Sequence, residues 1–311
     1  MSTTAAPSAP GERRLSPDAL PAALRRYVRE VYELPFPVDP TGSYRIPVSA
    51  NVTPILNVTR GGTVGVTFAD GSREALPAVL LSGPQPDAYL LDVDGTVAGF
   101  YVTFAAAGPL ALLGVRRYWR GGGAAPPLAS LVRPALAHAV EAYEAALLAA
   151  PDFETRASLT LALLREGLSG APAADVSDAD LLQRAADAID DAEGRIRVEG
   201  LARMLGVSAP TLRRRFATMG MTVKRFADVV RFRHAHAFLH TTPGATWADV
   251  VDRYGYSDQA HVVRSYRRLA GVTPTRWDAG ARPVDLRLGI ETPTAPPDPT
   301  GAVPDPRTRR A

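Results

Sequence analysis

The sequence predicts an α+β chain. Its N-terminal half reads as a small β-barrel or sandwich with covering helices, and its C-terminal end as an all-α domain of two helix-turn-helix units joined by a linker helix. Three observations predict this. Between residues 44 and 115 short β-type runs alternate with Gly, Pro and Asp; from 128 to 168 apolar residues fall at helical spacing; and within 195–282 one pattern of apolar, glycine and capping residues occurs twice, offset by 49 to 50 positions. The 311 residues then divide into a disordered leader (1–15), a sensing or dimerisation domain (16–170), a linker and helix (171–194), the repeated module (195–282) and a disordered Pro-rich tail (283–311).

Residues 1–15 are rich in Ser, Thr, Ala and Pro with no apolar period, the composition of a chain that cannot bury enough surface to order itself. Ser16-Pro17 then supplies an N-cap and a first-turn Pro, with Leu20, Leu24, Tyr27, Val28 and Val31 on one face, which predicts an amphipathic helix. Runs at 53–58, 63–68, 78–81, 88–93 and 99–104 follow, separated by Arg60-Gly61-Gly62, Asp70-Gly71 and Asp94-Gly95. Short runs between such turn signals are the pattern of a cupin-like antiparallel fold. After Gly121–Gly123 and Pro126-Pro127, helices are predicted over 128–148 and 153–168, either covering the β-domain or forming a homodimer interface. Ser177-Asp178-Ala179-Asp180 reads as a capping box that opens a helix ending at Ala192.

In the repeated module, Leu201 and Leu205 precede Gly206, Ser208 caps a second helix, and Leu212, Phe216 and Met219 line it. Val250 and Tyr254 precede Gly255, Ser257 or Asp258 caps, and Val262, Tyr266 and Leu269 repeat the spacing. The glycines sit where a helix must stop in a left-handed conformation. The apolar residues pin each second helix to the first and leave its other face free to enter a major groove about 12 Å wide. Residues 223–240 contain no helix breaker and form a predicted rod of about 27 Å at 1.5 Å per residue. That length sets two groove-entering helices near one turn of DNA apart, about 34 Å.

Charge distribution agrees. Residues 1–194 carry 15 basic and 22 acidic side chains, net −7, whereas 195–282 carry 16 and 6, net +10. A basic module joined to an acidic one is the electrostatic footprint of a nucleic-acid reader with a separate sensing or assembly domain, and the groove-entering helices make double-stranded DNA the expected partner. Cysteine is absent, which excludes disulfides, thiolate catalysis and sulfur-ligated zinc. His236 and His240 stand four residues apart but lack a third ligand close in sequence, so they read as linker-helix surface, and neither a metal nor a cofactor is expected. The apolar stretches at 110–115 and 159–164 fall short of the roughly 20 residues that span a bilayer. Without a secretory signal at the start, a cytoplasmic location and no membrane partner are expected.

Gly255-Tyr256-Ser257-Asp258-Gln259, Tyr266-Arg267-Arg268 and Gly271-Val272-Thr273-Pro274 with Trp277 resemble the second unit and closing signature of the AraC/XylS family. Arg231, Ala235 and Phe238-Leu239 resemble its linker helix, so the likeness covers about 85 residues. It implies a DNA-binding transcription regulator without enzymatic activity. The implied groove-facing residues are Pro210, Thr211, Arg213 and Arg214 in the first unit and Gln259, Ala260, His261 and Arg264 in the second. Ser208, Ser257, Arg215, Arg267 and Arg268 are the candidates for phosphate contact, the three Arg being equally readable as solvated. Phe216 to Gly220 is one residue shorter than the family spacing, which predicts a tighter or distorted end to the first recognition helix. Ser82-Gly83-Pro84-Gln85, Gly99-Phe100 and Ala111-Leu112-Leu113-Gly114 resemble an N-terminal domain that accompanies this module. There the likeness implies a bound small-molecule effector or dimerisation, with RNA polymerase as a further partner. Two other readings stay open: a nonspecific architectural DNA binder, and a cupin-like enzyme carrying an accessory DNA-binding domain.

Overall fold

The structure, a computed structural model, describes residues 12–36, 42–68, 70–119 and 124–273. Its N-terminal half holds one antiparallel sheet of seven strands, β1 (Arg13–Arg14), β2 (Val28–Phe36), β3 (Ser43–Val48), β4 (Ile55–Thr67), β5 (Arg73–Ala75), β6 (Val79–Ser82) and β7 (Tyr89–Phe104). Strands β4 and β7 form its spine. Strands β2 and β3 pair end to end along one side of β7, and β6 and β5 along the outer side of β4. The expected β-domain is thus a single sheet whose edges do not meet.

Two predicted turns are bulges inside continuous strands. The β4–β7 register jumps between Gly61 and Thr63, opposite Val97 and Asp94, so the runs at 53–58 and 63–68 merge into β4 and those at 88–93 and 99–104 into β7. Glycine is required there: a Cβ on Gly61, at φ +90°, would stand 2.3 Å from the Thr96 carbonyl oxygen, and one on Gly62 1.9 Å from that of Asp94. A bulge bends the strand and strengthens its twist. Leu56, Val58, Phe100, Val102 and Phe104 accordingly point into one core, while Ile46, Val48, Val93 and Val97 cluster on the opposite face.

Several expectations are corrected at the local level. The helix expected from Ser16 to Val31 is a 3-10 turn at Pro17–Ala19 followed by β2, because Pro21 cannot donate a helical hydrogen bond and Val28–Phe36 finds a partner in β7. Its apolar residues Leu20, Leu24, Tyr27, Val28 and Val31 are nonetheless all buried. The expected leader ends earlier, since Arg13–Arg14 pairs with β2; residues 1–11 lie outside the described residues. The segment 128–148 breaks at Pro134 into two 3-10 turns and α2 (Ala137–Ala149). A short helix, α1 (Gly108–Leu113), stands where the β-pattern was expected to continue. Helix α3 (Phe153–Ser169) appears as expected.

The supposed capping box at Ser177 lies inside a longer helix, α4 (Ala173–Asp191), whose start is set by Pro172. This helix is a bridge between the halves of the molecule. It packs against α1 on one side and, on the other, against α6 (Ala209–Thr218) and α7 (Val223–Thr241). One apolar core runs without interruption from the sheet through α1–α4 into the C-terminal helices. Arg156 of α3 is fully buried within it, its guanidinium 2.6 Å from the Glu33 carboxylate of β2 and donating to the Ala150 carbonyl at 2.7 Å. Removing one partner of such a pair would strand the other charge in an apolar site.

Candidate nucleic-acid interface

Both repeated units form as read. In the first, α5 (Val198–Met204) ends before Gly206, at φ +67°, and α6 opens on Ser208, whose hydroxyl accepts the Thr211 amide at 3.2 Å. In the second, α8 (Trp247–Tyr254) is held at its start by reciprocal hydrogen bonds between Thr246 and Asp249 and ends at Gly255, again at φ +67°. Helix α9 (Gln259–Leu269) is capped by Asp258, not by Ser257: the Asp258 carboxylate accepts the His261 amide at 2.6 Å. That bond is the main cause holding the Asp258 carboxyl below its ordinary pKa. The shortened 216–220 segment closes regularly. Gly220, at φ +71°, donates to Ala217 and Met221 donates to Phe216, the paired bonds of a Schellman ending.

Burial separates the two faces of each second helix. Leu212 and Phe216 of α6, and Val262 and Tyr266 of α9, are all but inaccessible. Phe216 meets Phe226 of α7 edge-on at 5.2 Å, and Tyr266 meets Phe232 at 4.8 Å while its hydroxyl lies 3.0 Å from Nδ1 of the buried His236. On the other face Pro210, Arg213, Arg214, Gln259, Ala260 and Arg264 are exposed, and Thr211 and His261 half-buried. The structure therefore places each set of four together at the start of its helix.

Three of these side chains have their chemistry narrowed. Arg213 lies 3.2 Å from Glu199 and Arg264 lies 3.9 Å from Asp258, with every partner more than half exposed. Such exposed pairs are exchanged readily for a base edge or a phosphate. The Ser257 amide donates to Nδ1 of His261 at 3.3 Å, so the acceptor nitrogen is occupied and Nε2–H is left to donate outward. The His261 ring is held edge-on to Tyr256 at 5.1 Å, and Tyr256 in turn lies under the Arg231 guanidinium at 4.8 Å. Burial pushes the Tyr256 hydroxyl up to about 12.

The phosphate candidates divide. Ser208, Ser257 and Arg267 are exposed. Arg215 turns back to α4 and pairs with Asp178 at 2.5 Å, and Arg268 lies between Asp87 and Asp228 at 3.6 Å from each. Sequence reasoning missed these acidic partners. Asp178 carried a signal, but it was absorbed in the supposed capping box. Asp87 carried none, because its proximity to Arg268 exists only once the sheet is docked on the helices. Trp277 and the proline of the closing signature lie outside the described residues.

A second candidate site lies on the sheet face turned away from the helices. It is a pocket of about 940 Å³ including its open mouth, walled by Val48, Leu80, Leu91, Val93, Tyr101 and Trp119 among others, and among the described residues no charged side chain lines it. Its polar groups are Asn57, Thr59, Ser82 and Gln85 besides the aromatic hydroxyls, and Asn57 is committed to Ser82 at 3.0 Å. Among the described residues no group of three or more His, Asp or Glu could hold a metal ion, and no helix is long and apolar enough to cross a membrane.

Comparison with known proteins matches residues 201–280 to the family model described as "Helix-turn-helix domain". No curated protein matches the chain. Among solved structures, ToxT from Vibrio cholerae O395 is similar at 10% identity over 76% of this chain and 96% of that one, with a TM-score of 0.41. Unsaturated fatty acid-bound ToxT from Vibrio cholerae strain SCE256 is similar at 13% identity, covering 79% and 92%, with a TM-score of 0.39. The AraC-like transcriptional activator CuxR is similar at 14% identity, covering 71% and 81%, with a TM-score of 0.27.

Proposed function

From the premise that residues 201–280 are an AraC-type helix-turn-helix domain, we propose that this chain is a sequence-specific DNA-binding transcription regulator, acting in the cytoplasm and reading two successive major-groove segments with α6 and α9. One observation carries the reading. Two helices on one linker rod each bury an apolar stripe and expose polar side chains on the other face, Arg214 and Arg264 standing at the same register. Arginine makes paired hydrogen bonds to guanine and glutamine to adenine, each worth about 1–3 kcal/mol of discrimination. In this reading Arg213, Arg214, Gln259 and Arg264 select sequence, His261 donates from Nε2, and Arg267 holds phosphate.

Selection of binding sites from a random duplex pool, followed by competition gel shifts, tests it. Arg264→Ala loses about 1–3 kcal/mol of preference for the selected site. Arg267→Ala weakens all duplexes alike and lowers the salt slope by about 1. Equal affinity for unrelated duplexes at matched salt would establish an architectural binder instead.

We assign the sheet pocket to a small, uncharged and largely apolar effector, because a charged ligand would lose its hydration there without meeting a counter-charge among the described residues. Two fluorescent probes of similar size decide this. The neutral N-phenyl-1-naphthylamine is expected to bind more tightly than the anionic 1-anilinonaphthalene-8-sulfonate, and to lose binding in Leu80→Glu. The opposite preference removes the assignment.

A further inference from the structure

The sheet domain holds the far end of α9 through its backbone. Ala88, just before β7, donates its amide to the Arg268 carbonyl at 2.9 Å, and Ala50, just after β3, donates to the Leu269 carbonyl at 2.7 Å. These are carbonyls that a helix C-terminus leaves without partners inside the helix. The two segments are joined to each other by reciprocal amide–carbonyl bonds of 2.9 Å between Asn51 and Gln85. Asp87 is thereby fixed between the starting turn of α7 and the last turn of α9. Its carboxylate lies 3.2 Å from the Arg225 guanidinium and 3.6 Å from that of Arg268, whose other nitrogen faces Asp228 on α7.

We propose that Asp87 is an internal stand-in for a DNA phosphate: the sheet domain keeps Arg225 and Arg268 on itself, and duplex DNA acquires them by displacing that carboxylate. The inference rests on the DNA-binding reading of the helix domain. A carboxylate and a phosphate present guanidinium with the same arrangement of anionic oxygens. Asp87, Arg225 and Arg268 keep 40%, 42% and 32% of their side-chain surface in solvent, so the pairs are weak enough to exchange and open to a competing anion. The segment that carries Asp87 also supplies Gln85 and Tyr89 to the pocket wall, which puts arginine availability and the pocket on one structural element.

The test uses the full chain and a mixed-sequence duplex, since phosphate contacts need no operator, with binding followed by fluorescence anisotropy across a potassium chloride series. Asp87→Asn is expected to tighten binding about two- to tenfold and to steepen the salt dependence by about one to two ions per complex. Asp87→Ser should do the same, which guards against an effect peculiar to the amide. In an Arg225→Ala/Arg268→Ala background the gain should vanish. A gain that persists there is a general charge effect and overturns the proposal, as does unchanged or weaker binding by Asp87→Asn when the wild-type chain binds. Failure of every variant and of the wild type to bind duplex at any salt sinks the regulator reading itself, and the proposal with it.

Discussion

The two helix-turn-helix units solve the same packing problem with different supports. Between the glycine that ends the first helix and the residue that caps the second, the first unit has Val207 alone, whereas the second has Tyr256 and Ser257. The extra residue puts a buried aromatic ring in the turn, where Arg231 of α7 stacks on it. The first unit has no such ring and is braced from outside by α4, through the Asp178–Arg215 pair and the contact of α4 with α6. Helix α9 is braced at its far end by the amides of Ala50 and Ala88. Near-identical internal spacing thus coexists with different couplings to the rest of the chain.

The largest expected effect tests whether those supports are equivalent. Phe216→Ala removes a fully buried ring and its edge contact with Phe226, which costs about 3–5 kcal/mol. Tyr266→Ala removes a ring of similar burial together with its contacts to Phe232 and to His236, and belongs in the same range. Urea unfolding of the full chain measures both. If the bridge through α4 makes the helices and the sheet one cooperative unit, each variant shifts a single transition; a separate early transition in Tyr266→Ala alone would show that the second unit opens independently.

The helical module was legible because its signals are local. Gly206, Gly255, Ser208 and the i, i+4, i+7 apolar spacing each dictate conformation within one or two turns of chain, and the structure places all of them as read. The sheet was less legible because its decisive features are pairings. Gly61, Gly62 and Gly95 look like turn residues until β4 and β7 lie together, when Gly61 and Gly62 prove to relieve a backbone clash across them and Gly95 to supply a left-handed backbone at φ +78°. Val28–Val31, the start of β2, reads as the end of a helix because Leu20, Leu24 and Val31 also satisfy helical spacing, and only the partner strand decides between the two periods. In the candidate interface, exposure of the proposed groove-facing side chains followed from helix register, whereas the acidic partners of Arg215 and Arg268 came from packing between distant segments.

The smallest expected effect separates the units by their caps. Ser208 does not titrate, so α6 keeps its N-cap from neutral pH into acid; Ser208→Ala costs it about 1 kcal/mol at any pH. Asp258 caps α9 as a carboxylate whose pKa in the folded chain lies below its ordinary value because it accepts the His261 amide. A depressed pKa contributes stability that is fully present above the unfolded value of about 3.9 and is lost as pH falls through the folded value. Amide hydrogen exchange in the first turn of α9 should therefore accelerate relative to that of α6 as the pH is lowered below about 4, after correction for the intrinsic rate. Asp258→Asn keeps a capping oxygen and removes the charge, so the difference between the two helices should become independent of pH. Parallel acid loosening of both helices in the wild-type chain would instead trace the change to global unfolding, and would deny the two caps any separate role.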